Sequence, residues 1–172
     1  MILFDNVSYS AGGMRIINGV SFEIKRGDFT ALIGANGAGK STLARLCIGL
    51  LKPVSGTVRA GGFDTASVRT SRIARFAGFL FQDPDRQICK NSVRDEIMLS
   101  LECVMEEREE IEMRCERAIR EFSLDGDREP FSMSRGERQR LVLASILAAE
   151  PELLLLDEPT TGLDYRECMH IM

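Results

Sequence analysis

The sequence predicts one α/β domain over residues 1–172, and two segments carry that prediction. The first is Phe29–Leu51, where the apolar run FTALIG leads into the glycine-rich GANGAGKST and then into the helix-forming LARLCIGLL. The second is Leu153–Leu156, four consecutive leucines that close on Asp157-Glu158. A short apolar run, a glycine-rich turn and a helix make the repeating unit of a sheet covered by helices. A strand with leucine at every position reads as parallel and buried on both faces.

The other elements follow in chain order. Met1–Gly27 alternates short apolar runs with the turns SAGGM and KRGD, which predicts an antiparallel β element. Phe29–Gly34 is the next strand, and Leu43–Leu51 lies on the helix after the glycine-rich loop. PVSG and AGG bracket a short strand at Thr57–Ala60. Ser67–Phe76 predicts a short helix and Phe76–Phe81 a strand. Asn91–Phe122 is dense in charge and mostly helical, with Glu110/Arg114, Glu116/Arg120 and Arg117/Glu121 at i,i+4 spacing. Most of that charge reads as a solvated helix face. Gly126–Met133 is a loop. Ser134–Ala149 is a helix with Ser134 as N-cap and Glu137 three residues on, the spacing of a capping box.

Composition bounds the class. Apolar residues make up 44% of the chain, ordinary for a globular domain with a sizeable core. A net charge of −4 and a pI near 5.2 argue against nucleic-acid binding, which wants a basic face. The five cysteines, Cys47, Cys89, Cys103, Cys115 and Cys168, are odd in number and form no CxxC pair. They read as reduced intracellular thiols. Ile2–Val7 reads as a strand rather than a secretory leader. The apolar stretch Leu141–Ala149 is too short to span a bilayer, so membrane association would come through a partner.

Chemistry enters at the glycine-rich loop. Gly34, Gly37 and Gly39 let the backbone turn successive N–H groups inward, where they suit phosphate oxygens. The helix that follows adds the partial positive charge of its N-terminus. Lys40 is placed to reach β- and γ-phosphates and the Ser41 hydroxyl to ligate Mg²⁺. Asp157 sits at the C-terminal end of its strand, where open α/β sheets bind ligands. It can hold the metal directly or through water, and Glu158 beside it can polarise an attacking water.

Between these segments stands Met133-Ser134-Arg135-Gly136-Glu137-Arg138-Gln139-Arg140. It resembles the LSGGQ signature of ATP-binding cassette (ABC) proteins. Phe79-Leu80-Phe81-Gln82 is similar to that family's Q-loop and Thr161-Gly162-Leu163-Asp164 to its D-loop. The resemblance covers nearly the whole chain. It implies a P-loop NTPase fold: a RecA-like core with an antiparallel β element in residues 1–82, a helical subdomain in 83–133, and signature helix, Walker B strand and D-loop in 134–172. It further implies ATP contacts from Asn36, Gly37, Ala38, Gly39, Lys40, Ser41 and Thr42, and a stack on adenine from Tyr9, or from Ser10 or Ala11 beside it. Mg²⁺ would be held by Ser41, Gln82 and Asp157, with Glu158 and Gln82 as the catalytic pair. A second, identical or related ATPase subunit would face this one head to tail, its ATP completed by Ser134, Gly136, Glu137 and Asp164. The run from Phe81 to Ile88, with Ser92–Glu96 after it, looks most similar to cobalt, nickel and vitamin importers of the energy-coupling factor type. That makes Asp83–Glu96 the expected dock for an integral membrane subunit and places the protein on the cytoplasmic side of the membrane. The alternatives are a truncated, non-catalytic cassette and a soluble ABC ATPase acting on DNA or the ribosome.

The sequence departs from the family in three places, the first being the adenine-stacking aromatic, whose position Tyr9, Ser10 or Ala11 could occupy. Arg135 replaces the first signature glycine, a change expected to be tolerated. The family's catalytic histidine follows the D-loop by roughly a helix and a strand. His170 comes too soon after the D-loop and reads as a surface residue. The fold is therefore expected to be incomplete at the C-terminus. Phe29–Gly34 and Leu153–Asp157 should not hydrogen-bond to each other, but flank an unfilled slot of about 9–10 Å, two strand spacings.

Overall fold

The computed structural model describes residues 2–160. The chain opens with two long strands, β1 (Ile2–Ala11) and β2 (Met14–Ile24), paired antiparallel with Ile2 opposite Ile24 and Ala11 opposite Met14. Helix α1 (Lys40–Cys47) follows the glycine-rich loop. Then come β3 (Ser55–Ala60), the two-residue β4 (Phe63–Asp64), α2 (Thr70–Ala74) and β5 (Ala77–Leu80). A 3-10 turn at Pro84–Arg86 leads to α3 (Val93–Glu102) and α4 (Arg108–Glu121). A second such turn, Pro130–Ser132, leads to α5 (Arg135–Ala148) and β6 (Leu153–Leu156).

These elements form two compact units that meet in sequence at Ala77/Gly78. The first holds a four-stranded sheet in the order β2-β1-β3-β4, every pairing antiparallel. Phe4, Val7, Val58 and Ala60 bury one face of it, and Phe4 stacks on Phe22 with ring centroids 4.5 Å apart. Leu46 and Cys47 of α1 are also buried, and burial pushes the Cys47 thiol up to about 12. Helix α1 stops earlier than the apolar run Leu43–Leu51 suggests. Gly49 adopts φ +70°, its N–H bonds the Leu46 carbonyl at 3.1 Å, and the Leu50 N–H bonds the Arg45 carbonyl at 3.0 Å. This is a Schellman stop, which glycine enters without the Cβ penalty.

The second unit is mostly helical. Val93, Ile97 and Leu101 of α3, Ile111, Cys115 and Ala118 of α4, and Leu141, Ala144 and Ala148 of α5 recur at spacings of three and four. One stripe per helix therefore faces a shared core. Ser92 caps α3, its Oγ accepting from the Asp95 N–H at 3.1 Å. Of the three expected i,i+4 pairs, Glu110–Arg114 forms at 2.6 Å. The other two find hydrogen-bonding partners off the helix: Glu116 on Arg94, and Arg117 on Glu150 at 2.6 Å. α4 packs against α3 and α5, which brings those charges within reach.

Two expectations need correction. Phe29–Gly34 is not a strand: it belongs to neither sheet, and Phe29 and Ile33 are 97% and 95% exposed. An extended apolar segment becomes a strand only when a neighbour offers it a ladder, and none does so among the described residues. Leu153–Leu156 is a strand, but not one buried on both faces: Leu154 and Leu156 are exposed and Leu153 and Leu155 half-buried. Its sheet has two strands, β5 and β6.

Candidate nucleotide-binding and hydrolysis site

The phosphate loop lies in the first unit. Gly37 takes φ +80° and Gly39, the N-cap of α1, takes φ +93°. A Cβ on Gly39 would stand 2.8 Å from Ile17 Cδ1, so glycine is required by the backbone angle and by the packing of β2 on the loop. No side chain caps α1 and its first turn holds no acidic residue. Its leading N–H groups therefore keep the partial positive charge that suits an anion. The Lys40 ammonium folds back over the loop and donates to the Gly34 carbonyl at 3.0 Å and the Ala35 carbonyl at 3.1 Å. Asn36, Gly37 and Ala38 are exposed around it, and Ser41 and Thr42 are half-buried on the first turn of α1. Tyr9 lies on β1 opposite Ile17, with Ser10 and Ala11 at the end of the same strand.

The acidic residues lie in the second unit. The Asp157 N–H donates to the Leu80 carbonyl at 2.9 Å, extending the β5–β6 pairing to the end of both strands. Asp157 is 7% exposed. Glu158 takes φ +52°, unusual for a residue with a Cβ and of the kind that collects at functional sites. Its Oε2 accepts from Gln82 Nε2 at 2.8 Å. Two residues that are 76 positions apart in sequence, each picked out separately by motif, thus meet through their side chains.

The signature motif opens α5 with the expected capping box. Ser134 Oγ accepts from the Glu137 N–H at 3.3 Å and Glu137 Oε2 accepts from the Ser134 N–H at 2.7 Å. Arg128 adds an ion pair to Glu137 at 2.5 Å. The Ser134 N–H first, and Arg128 second, hold the Glu137 carboxyl below its ordinary value. Gly136 is buried. Asp164 and the rest of the D-loop, with His170 and Cys168, lie outside the described residues.

The contacts of three side chains were not legible as motif. Gln87 accepts from the Phe81 N–H at 2.7 Å and donates to the Phe79 carbonyl at 2.9 Å. Its carboxamide stands in for a strand partner along the end of β5, just before Gln82. Glu96, 5% exposed, accepts from the N–H groups of Cys89 and Lys90 at 2.8 and 2.7 Å and so fixes the loop before α3. Arg138 pairs with Asp85 at 2.6 Å. Nothing in the sequence distinguishes these side chains from solvated ones, because each partner is a backbone group or a residue brought in by folding.

Ser41 of the first unit, and Gln82 and Asp157 of the second, each carry a hard oxygen donor, a hydroxyl, a carboxamide and a carboxylate, of the kind Mg²⁺ takes. Gln82 spends its Nε2 on Glu158, which leaves Oε1 as the atom of its carboxamide suited to a cation. Among the described residues no three His, Cys, Asp or Glu side chains cluster to hold a metal unaided.

A model of the ABC transporter family matches residues 17–161. The chain is 37% identical over 167 residues to the energy-coupling factor transporter ATP-binding protein EcfA1 of Fusobacterium nucleatum, covering 95% of this chain and 63% of that protein. It spans only 29% of a Caldanaerobacter subterraneus relative, an ABC transporter ATP-binding protein by name, to which it is 42% identical. Among solved structures it resembles cbiO1 of Clostridium perfringens, described as part of the ABC transporter complex cbiONQ, with a TM-score of 0.84 and 31% identity over 99% of this chain and 70% of that one. It also resembles a dimeric ATP-binding cassette in a post-hydrolysis state bound to ADP and Pi, with a TM-score of 0.86 and 26% identity over 99% and 79%. The chain belongs to the ABC transporter family.

Proposed function

We propose that this chain binds ATP and hydrolyses it to energise import across a membrane, as an ATPase of the energy-coupling factor type serving cobalt, nickel or a vitamin. The observation that carries the catalytic part is the 2.8 Å hydrogen bond from Gln82 to Glu158. It holds the general-base candidate at the end of a strand, beside buried Asp157.

In this reading the Lys40 ammonium exchanges the Gly34 and Ala35 carbonyls for β- and γ-phosphate oxygens, which are stronger acceptors. The N–H groups from Asn36 to Thr42 surround the same phosphates. Mg²⁺, held by Ser41, Gln82 and Asp157, would neutralise charge on the β- and γ-oxygens. Glu158 accepts a hydrogen bond from water, orients it in line with the γ-phosphorus and takes its proton as the new oxygen–phosphorus bond forms and the bond to the β–γ bridging oxygen breaks, leaving ADP and phosphate. Gln82 keeps that carboxylate aimed. A second copy or a related subunit faces the first head to tail, with Ser134 and the Gly136 N–H closing on the partner's γ-phosphate, Glu137 keeping Ser134 in place, and Asp164 beside them. ATP binds the closed dimer better than the open one, and that difference supplies the work.

No helix among the described residues is long and apolar enough to cross a membrane. On the resemblance of its Phe81–Ile88 and Ser92–Glu96 runs to energy-coupling factor importers, Asp83–Glu96, in which Glu96 fixes the Cys89–Lys90 loop, is the proposed dock for an integral membrane subunit that carries the cargo, with this chain on the cytoplasmic face. The energy-coupling factor name of the Fusobacterium relative supports that assignment. The deciding experiment measures ATP turnover by the native chain and by Glu158→Gln, with co-purification of a membrane subunit as a second readout. Equal turnover by the two forms would remove Glu158 from catalysis.

A further inference from the structure

We propose that a two-arginine strap from the first turn of α5 to the turn after Gln82 couples the two ATP sites of the dimer. The proposal rests on the head-to-tail reading above. Arg138 sits one helical turn after Ser134 and spends its guanidinium on three contacts. Nε and Nη2 reach the Asp85 carboxylate at 2.6 and 3.5 Å, and Nη1 donates to the Met133 carbonyl. Its side chain is 18% exposed against 49% for Asp85, so a positioned guanidinium holds a surface carboxylate. Arg135, the residue in place of the signature glycine, sends Nη2 to the Gln82 carbonyl at 3.4 Å. The strapped turn is braced in its own right: the Asp85 N–H donates to Asp83 Oδ1 at 3.3 Å and Arg86 pairs with Asp83 at 3.4 Å. Three residues before Asp85, the side chain of Gln82 holds Glu158.

The two ends of the strap serve different nucleotides. Ser134, at the α5 end, faces the ATP held by the partner's phosphate loop. Gln82 and Glu158, at the other end, serve the ATP held by the same subunit. A displacement of α5 on meeting the partner's γ-phosphate is carried by two guanidinium contacts, one to the Gln82 carbonyl and one to the Asp85 carboxylate three residues on. Filling one site therefore biases the water-positioning pair of the other, which is a coupling free energy between sites. Arg138 and Asp85 are positioning residues in this scheme, since neither touches nucleotide.

The test is the ATP dependence of steady-state turnover in the native chain, Asp85→Asn, Asp85→Glu and Arg138→Gln, with ATP affinity of each monomer measured by a fluorescent nucleotide. The expected result is a Hill coefficient above about 1.5 for two coupled sites in the native chain and in Asp85→Glu. It should fall toward about 1 in Asp85→Asn and Arg138→Gln at unchanged monomer affinity. Asp85 is exposed enough that its substitution leaves the core alone, so the result does not hang on Arg138→Gln folding. Native cooperativity in Asp85→Asn, or none in the native chain, overturns the proposal. ATP-driven dimerisation of Glu158→Gln is measured alongside. If that dimer forms and Asp85→Asn stays cooperative, only the strap fails. If no dimer forms, the head-to-tail reading fails and takes the strap with it.

Discussion

Lys40 and Glu158 are the residues on which the proposed chemistry turns, and they fail differently when removed. Lys40→Ala deletes the ammonium that folds over the phosphate loop. ATP affinity should drop by roughly tenfold or more, about 1.4 kcal/mol per decade, as read by equilibrium titration. Glu158→Gln keeps size and hydrogen bonding but loses the base. Binding should persist while turnover falls by on the order of 10²–10⁴. Retained affinity in Lys40→Ala would move the anion site elsewhere. Arg135 calls for a third comparison. Arg135→Gly should leave ATP-driven dimerisation similar or slightly stronger, because the phosphate cage is built from Ser134 and the Gly136 N–H. Ser134→Ala with Gly136→Asp should abolish dimerisation and spare monomer binding. Loss of nucleotide binding by that monomer would show the signature misplaced. Residue identities of this kind are legible in sequence because the chemistry demands particular groups at fixed spacing. The contacts of Gln87, Glu96 and Arg138 are not, because their partners are chosen by the fold.

At the scale of elements, the capping box of α5 is both a sequence signal and a stability term. Ser134→Ala should cost about 1 kcal/mol of the second unit's stability. Its pH dependence has a definite sign. The Ser134 N–H and Arg128 hold the Glu137 carboxyl below its ordinary 4.5. Its contribution is therefore present above the unfolded value and is lost as pH falls through the lower folded value. An acid melt of the native chain should show this loss below about pH 4.5, and Glu137→Gln should flatten it. An unchanged acid limb in the variant would mean the cap is not maintained in solution. Phe29–Gly34 tells the opposite story. Its composition suits a strand, but without a ladder its amides have no protection. Hydrogen exchange there should approach unfolded rates while β1, paired on both sides, exchanges slowly. Slow exchange across Phe29–Gly34 would show that it finds a partner in solution.

For the molecule as a whole, the two units draw on different cores. The helical unit centres on side chains such as Leu101, fully buried among α3, α4 and α5. Leu101→Ala should lower its stability by about 2–5 kcal/mol, depending on how far the site collapses, as read by chemical denaturation. Phe29 and Ile33 lie at the other extreme, each almost wholly exposed. Replacing both by serine should raise solubility without lowering the melting temperature, since neither contributes buried area. A drop in melting temperature would place them in a core.

Much was decided by the chain itself. The glycines of GANGAGKST, the lysine and hydroxyl after them, the carboxylates closing LLLLDE, the glutamine of FLFQ and the Ser134–Glu137 cap are fixed by local geometry and by the chemistry of phosphate and water. Tertiary structure decided the rest. It left FTALIG without a ladder and exposed half of LLLL, because burial of a strand depends on neighbours from distant sequence. It also sent Arg117 to Glu150, set Gln87 along the edge of β5 and brought Gln82 to Glu158, because a side-chain partner is known only when the backbone that carries it has been placed.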